Sequence, residues 1–350
     1  MARRLALLAC LPLLVAPAAA QAALRVPRGS LGVNAGTELT ERPSLLTGEF
    51  GQMPKAGVQA VRLTFNWDEA QPTPGPVDFS RTDAIVAAVA RRHLGALVTA
   101  LEAPQWASDD GPSDYPPVLT PRRPRDYADY LVALIHRYGP HGSFWSTHPS
   151  VPRDPIRKWQ IWNEPNLPYF WRKPKTHLHE GKRCDNQPWV PSYVKLLRAS
   201  ATAVHRADRG AKVVLAGMPN YPWEYLCALY KAGARRDFDE AAIHPYSHYV
   251  GPMIPIREHG RRKFVRGGML EMVRLSRNVM NRHGDRHKPL LLTEVSWPAA
   301  KGRVKYDSGI NVTPKGEVAR IEQALPALAR RRKAWGIGAV YWYTWLSDFD

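Results

Sequence analysis

Eight short apolar, β-branched or aromatic runs recur along the chain, and helical patterns separate most of them. They span residues 31–34, 60–67, 95–101, 157–162, 212–216, 240–244, 289–293 and 338–345. Their nearly continuous apolar character suits strands buried on both faces, as in a parallel sheet. Residues 82–93 bring Ile85, Val86 and Val89 to one helical face, and 126–138 do so with Tyr127, Tyr130, Leu131, Leu134 and Ile135. Residues 191–207 bring Tyr193, Leu196 and Leu197 to a third such face, and further helices are expected over 223–232, 268–283 and 317–335. Pro326 should kink the last of these. Such spacings are those of amphipathic helices that cover a sheet.

Alternating strands and helices in a 350-residue chain, 44% of it hydrophobic, predict one closed (β/α)8 TIM barrel of the α/β class. The competing open doubly wound sheet usually carries a glycine-rich phosphate loop after its first strand. Here Leu31-Gly32-Val33-Asn34-Ala35-Gly36 runs on with no clear helix start. The sequence reaches Asp350 directly after the eighth run, leaving no residues for an eighth outer helix. Either the natural protein continues or the barrel closes in another way. No internal repeat or low-complexity linker interrupts the pattern. Proline-rich stretches at 71–76, 109–124, 148–155 and 169–191 read as βα-loops, which build the active face of a barrel.

Two carboxylates stand at the ends of such runs. Glu164 follows the fourth, in Trp162-Asn163-Glu164-Pro165-Asn166, and Pro165 turns it away from helical geometry. Glu294 follows the seventh, in Thr293-Glu294-Val295-Ser296-Trp297. Strands four and seven lie roughly opposite each other in an eight-stranded barrel, so the two side chains can meet across its mouth. Glycosidic bond cleavage needs such a pair, and a spacing of about 5–5.5 Å means a retaining mechanism. A salt bridge is the more common fate of a lone strand-end Glu. Asn163, able to bond a sugar hydroxyl, and flanking tryptophans, able to stack on sugar rings, favour the catalytic reading.

At these residues the chain resembles the clan A retaining glycoside hydrolases. Ile161-Trp162-Asn163-Glu164-Pro165-Asn166-Leu167-Pro168-Tyr169-Phe170-Trp171 is similar to the strand-four motif of glycoside hydrolase family 39, with family 5 as the near alternative. The resemblance implies Glu164 as general acid/base, Glu294 as nucleophile and Asn163 as the partner of the sugar 2-hydroxyl. His244-Pro245-Tyr246 resembles the clan's His-x-Tyr element, with Tyr246 orienting Glu294 and His244 lining the subsite. Arg62 resembles the clan's arginine near the nucleophile, where a cation favours the charged carboxylate. Trp106, Trp297 and Trp342 complete the candidate substrate-binding set. Many members carry a His at the end of strand three. Here that stretch reads Leu101-Glu102-Ala103-Pro104-Gln105-Trp106, so Glu102 is a possible third cleft carboxylate.

Residues 1–22 carry a secretory signal pattern: Arg3 and Arg4, an apolar stretch over 5–15, then small residues around Ala20-Gln21-Ala22. An uncleaved anchor is the alternative. The stretch before Cys10 is too short for a lipoprotein signal. A secreted or envelope-associated protein is therefore expected, with residues 23–350 forming one catalytic domain and no membrane span after cleavage. In an oxidising compartment Cys184 and Cys227 pair or stay as two thiols. The net charge of +18 is spread along the chain. Clusters such as Arg261-Arg262-Lys263 and Arg331-Arg332-Lys333 read as solvated helix or loop faces, and no nucleic-acid motif accompanies them. The charge favours an anionic or cell-envelope polysaccharide as a partner. No metal or cofactor is expected, since no histidine, cysteine or carboxylate set has ligand spacing. A carbohydrate-binding barrel without catalysis, a transglycosylase using the same residues and a metal-dependent hydrolase built on His244 and His248 are the competing functions.

Overall fold

The computed structural model describes residues 25–110, 118–172, 184–185, 187–258, 261–304 and 309–346, without the side chains of 37–38, 253–258 and 261–266. Residues 1–22, read as a signal, lie outside the described residues. The barrel strands are β1 (Leu31–Asn34), β2 (Ala60–Asn66), β3 (Gly95–Leu101) and β4 (Lys158–Ile161). They continue as β5 (Lys212–Val214), β6 (Ala241–Ile243), β7 (Leu290–Val295) and β8 (Ile337–Trp342). All pair in parallel, and β8 returns beside β1 with Leu31 opposite Val340. A bridge between Val214 and Glu240 joins β5 to the start of β6, completing an eight-stranded (β/α)8 barrel.

The helices form where apolar residues recur on one face, and proline repeatedly starts them. Pro124–Tyr138, Val190–Ala207, Pro222–Lys231 and Pro314–Trp335 all carry proline at the first or second helical position, where its missing N–H costs nothing. Helix Pro314–Trp335 is capped by the Thr313 hydroxyl, which accepts from the Gly316 N–H, and it continues through Pro326. The Arg261-Arg262-Lys263 cluster, read as a helix or loop face, instead opens the second strand of an antiparallel hairpin, Met253–Glu258 with Arg261–Arg266.

Period-two alternation decides what enters the barrel. Ala60, Leu97, Ala242, Leu291 and Tyr341 pack together as an inner apolar layer. Two residues further along their strands, Arg62, Thr99, His244 and Thr293 form the polar layer above it. Gly32 makes room for this filling, because a Cβ there would lie 2.5 Å from the Tyr341 ring.

Two tyrosines from the outer helices brace the end of β4. Tyr127 donates to the Ala100 carbonyl (2.7 Å) and accepts from the Trp162 N–H (3.2 Å). Tyr193 donates to the Ile161 carbonyl (2.9 Å) and accepts from the Ala216 N–H (2.9 Å). Each hydroxyl bridges two neighbouring strands where direct pairing ends. Both rings are buried, so losing either hydroxyl leaves unpaired backbone groups. Tyr193→Phe should cost about 1–3 kcal/mol, measured by denaturant titration.

Cys184 and Cys227 form a disulfide with a Cα–Cα distance of 5.2 Å. It ties the segment before helix Val190–Ala207 to helix Pro222–Lys231. With the two cysteines separated by 43 positions in the sequence, its loss by Cys227→Ser should cost roughly 2–4 kcal/mol. An unchanged denaturation midpoint would contradict this.

Candidate active site

The mouth of the barrel holds a cavity of about 460 Å³ whose floor includes Arg62, Asn163, Glu164, Tyr246 and Glu294. Glu164 leaves β4 through two left-handed residues, Trp162 (φ 71°) and Glu164 itself (φ 42°). Such conformations cost a non-glycine residue about 1–3 kcal/mol. The two bridging tyrosines and the bond from the Glu164 N–H to the Gly217 carbonyl (3.1 Å) hold them in place. Glu294 lies within β7 rather than after it, one residue before the strand ends.

Arg62 organises the Glu294 side. Its guanidinium donates to Glu294 Oε1 at 2.7 Å, Asn34 Oδ1 at 3.0 Å, Asn163 Oδ1 at 2.8 Å and Gln160 Oε1 at 2.6 Å. Gln160 also accepts from the Thr99 hydroxyl (2.9 Å) and donates to the Leu215 carbonyl (2.9 Å). Asn34 donates to the Thr293 carbonyl (2.9 Å). Tyr246 donates to the second oxygen of Glu294, Oε2, at 2.5 Å. Burial, then the charges of Glu294 and Glu164, push the Tyr246 phenol far above its ordinary range, so it stays protonated and able to donate to Glu294.

His244 organises the other side. Its Nδ1 lies 2.6 Å from Glu164 Oε1 and 3.4 Å from Glu294 Oε2, while Nε2 lies 3.0 Å from the Thr293 hydroxyl. Burial lifts the Glu164 carboxyl to about 8 against the opposing pull of Arg62. The same burial lowers His244 to about 3. The contact is therefore a neutral hydrogen bond near neutral pH, although its distance alone suits an ion pair. Gly217 permits it: a Cβ there would stand 1.9 Å from His244 Nε2 and 2.6 Å from Thr293 Oγ1. Gly217→Ala should displace the imidazole and lower any turnover by roughly 10²-fold, since a shift near 1 Å at a reacting group has that effect. Steady-state kinetics beside a thermal melt separates this from unfolding.

One oxygen of Glu164, one of Glu294 and one nitrogen of His244 all lie within 4.8 Å of one another. That spacing would also suit a metal ion. The Arg62 charge, 2.7 Å from Glu294, occupies the electrostatic place that a cation would need. His248, the other histidine considered as a ligand, bonds the Gly309 carbonyl instead (2.5 Å).

Thus Arg62, Asn163, Glu164, His244, Tyr246 and Glu294 converge. The three tryptophans do not join them at the cavity. Trp106 is half-buried with its N–H on the Gln71 carbonyl (2.9 Å) and its ring against Trp67. Trp297 is 1% exposed. Trp342 bonds Glu317 (3.1 Å) and lines a separate cavity of about 540 Å³ between β1, β8 and helix Pro314–Trp335. The aromatic residues lining this cavity among the described residues are Tyr169, Phe170, Tyr246 and Tyr343. Tyr169 and Phe170 belong to the strand-four motif itself, and Tyr343 sits in the aromatic eighth run, so their signal was present in the sequence.

A parallel eight-stranded barrel with two buried carboxylates at the C-terminal strand ends defines the class of the molecule. Among solved structures the fold is similar to a family 39 glycoside hydrolase from the gut symbiont Bacteroides cellulosilyticus WH2, with a TM-score of 0.62 and 15% identity over 91% of this chain and 56% of that one. It is similar to a monomeric beta-xylosidase from Caulobacter crescentus CB15 (TM-score 0.58, 17% identity, 91% of this chain and 60% of that one). A GH39 enzyme from Xanthomonas axonopodis pv. citri gives a TM-score of 0.57 at 16% identity, over 91% of this chain and 58% of that one. The chain spans a little over half the length of these proteins, and at such identities the likeness is one of fold. No protein-family model and no curated protein matches the chain.

Proposed function

We propose that the chain is a retaining glycoside hydrolase that cleaves O-glycosidic bonds of a poly- or oligosaccharide by double displacement. The observation that carries this reading is the pair Glu164 and Glu294, with one oxygen of each inside 4.8 Å and with opposed surroundings. Retaining enzymes hold their carboxyl groups about 5–5.5 Å apart, whereas inverting ones leave about 6.5–9.5 Å for a water. Glu164, lifted to about 8 by burial, holds a proton at neutral pH and serves as the general acid. Glu294 faces a guanidinium and a phenol, the partners that a carboxylate anion takes, and serves as the nucleophile.

In the first step Glu294 attacks the anomeric carbon while Glu164 gives its proton to the leaving oxygen. In the second, Glu164, now a base, takes a proton from water that releases the sugar. His244 holds Glu164 without supplying charge. Asn163, its carbonyl fixed on Arg62, presents an amide nitrogen that suits the sugar 2-hydroxyl. Secretion, read from residues 1–22, and long-range attraction of the +18 chain to an anionic envelope place the enzyme near polysaccharide. Aryl glycosides and polysaccharides assayed for reducing ends test the proposal. Release of sugar supports it, whereas binding across the panel without cleavage supports a non-catalytic barrel.

A further inference from the structure

The cavity wall at the end of β3 has a chemistry that the carboxylate pair does not use. Glu102 lines the cavity, half-buried, in a left-handed conformation with φ 57°. That conformation is fixed in part by the Asp68 N–H, which donates to the Glu102 carbonyl (3.2 Å). The Glu102 carboxylate makes no hydrogen bond or ion pair among the described residues. Asn66 also lines the cavity, and the side-chain oxygens Asn66 Oδ1 and Asp68 Oδ1 are buried without a partner. Burial, then the charges of Asp68 and Glu69, lift Glu102 to about 7. An arriving donor or cation would relieve that penalty.

Arg62 is the one cation among the described residues lining the cavity, and its nitrogens are taken by Glu294, Asn34, Asn163 and Gln160. No described positive group is left at the wall for a sugar carboxylate.

We infer that Glu102 determines which sugar the cavity accepts: its carboxylate receives a hydroxyl or an ammonium of the bound ring, so the site takes neutral or amino sugars and turns away uronic acids. This rests on the glycosidase reading above and names the substrate class for it. A carboxylate on the ring would bring a second anion against Glu102 with no cation among the described lining residues free to offset it, and would leave the Glu102 carboxylate without a donor.

The test compares the wild type with Glu102→Gln, which keeps the shape and removes the charge. Nitrophenyl glucosides, galactosides, glucosaminides and glucuronides are assayed for kcat and KM, and methyl glycosides of the same sugars are titrated by NMR. In the wild type the glucuronide should fall at least about 100-fold below the best neutral or amino substrate in kcat/KM. Glu102→Gln should weaken that best substrate by about tenfold, mainly in KM, and narrow the gap to the glucuronide. A loss confined to the glucosaminide identifies an ammonium as the donor, and a loss shared with neutral sugars identifies a hydroxyl. Preference of the wild type for the glucuronide, or a ratio unchanged in the variant, overturns the inference while the glycosidase reading stands. Glu102-dependent binding preference with no cleavage of any glycoside does the reverse. Neither cleavage nor binding overturns both.

Discussion

Glu294→Ala is expected to lose roughly 10⁴-fold or more in kcat/KM, because in the proposed double displacement Glu294 forms the covalent intermediate. The fold should survive the change. Arg62 keeps its bonds to Asn34, Asn163 and Gln160, so its charge is not left without hydrogen-bond acceptors. The space vacated beside Tyr246 admits a small anion. Azide should therefore restore part of the turnover with an activated aryl glycoside, attacking from the nucleophile's side and leaving a glycosyl azide of inverted configuration. Wild-type activity in Glu294→Ala, or loss of activity with loss of folding alone, would count against the assignment.

Glu164→Gln is expected to lose about 10²–10⁴-fold on substrates with poor leaving groups, the usual worth of a general acid. Glycosides that leave without protonation should be spared in their first step. The pH profile adds a second reading. Wild-type kcat/KM should fall as pH rises through about 8, where Glu164 gives up its proton, and this limb should vanish in the variant. Stability moves by the same linkage. The folded state raises this carboxyl from 4.5 to about 8, so between those values the folded chain holds a proton that the unfolded chain releases. The stability contributed by protonated Glu164 is full below pH 4.5 and is lost as pH rises through 8. Gln carries no charge to desolvate. The variant should match the wild type in stability near pH 4 and exceed it at pH 9 by an amount on the order of a few kcal/mol, read by denaturant titration at the two pH values.

The barrel was legible because its strands are buried on both faces and its helices on one, and those two periods differ. The carboxylates were legible because each ends an apolar run. The layer that holds them was harder to see. Thr99 and Gln160 interrupt buried runs at the inward-facing position, and that interruption was their signal. What each one touches depends on strands distant in sequence, as when Gln160 reaches Arg62 across 98 residues. His244 was placed near the sugar from its motif. The structure sets it against Glu164, since opposing strand ends and a single glycine, Gly217, fix where its ring can go. Trp297 and Trp342 were expected among the substrate-binding residues, but their rings pack against each other, with centroids 6.0 Å apart. Large aromatic rings serve a core as readily as a cleft, and composition does not separate the two uses.

The most direct measurement is the anomeric configuration of the first sugar released, followed by NMR before mutarotation. Two displacements through Glu294 predict the same configuration as in the substrate. Release of the opposite anomer would mean a single displacement by water, which two carboxylates this close leave no room to accommodate, and would contradict the account.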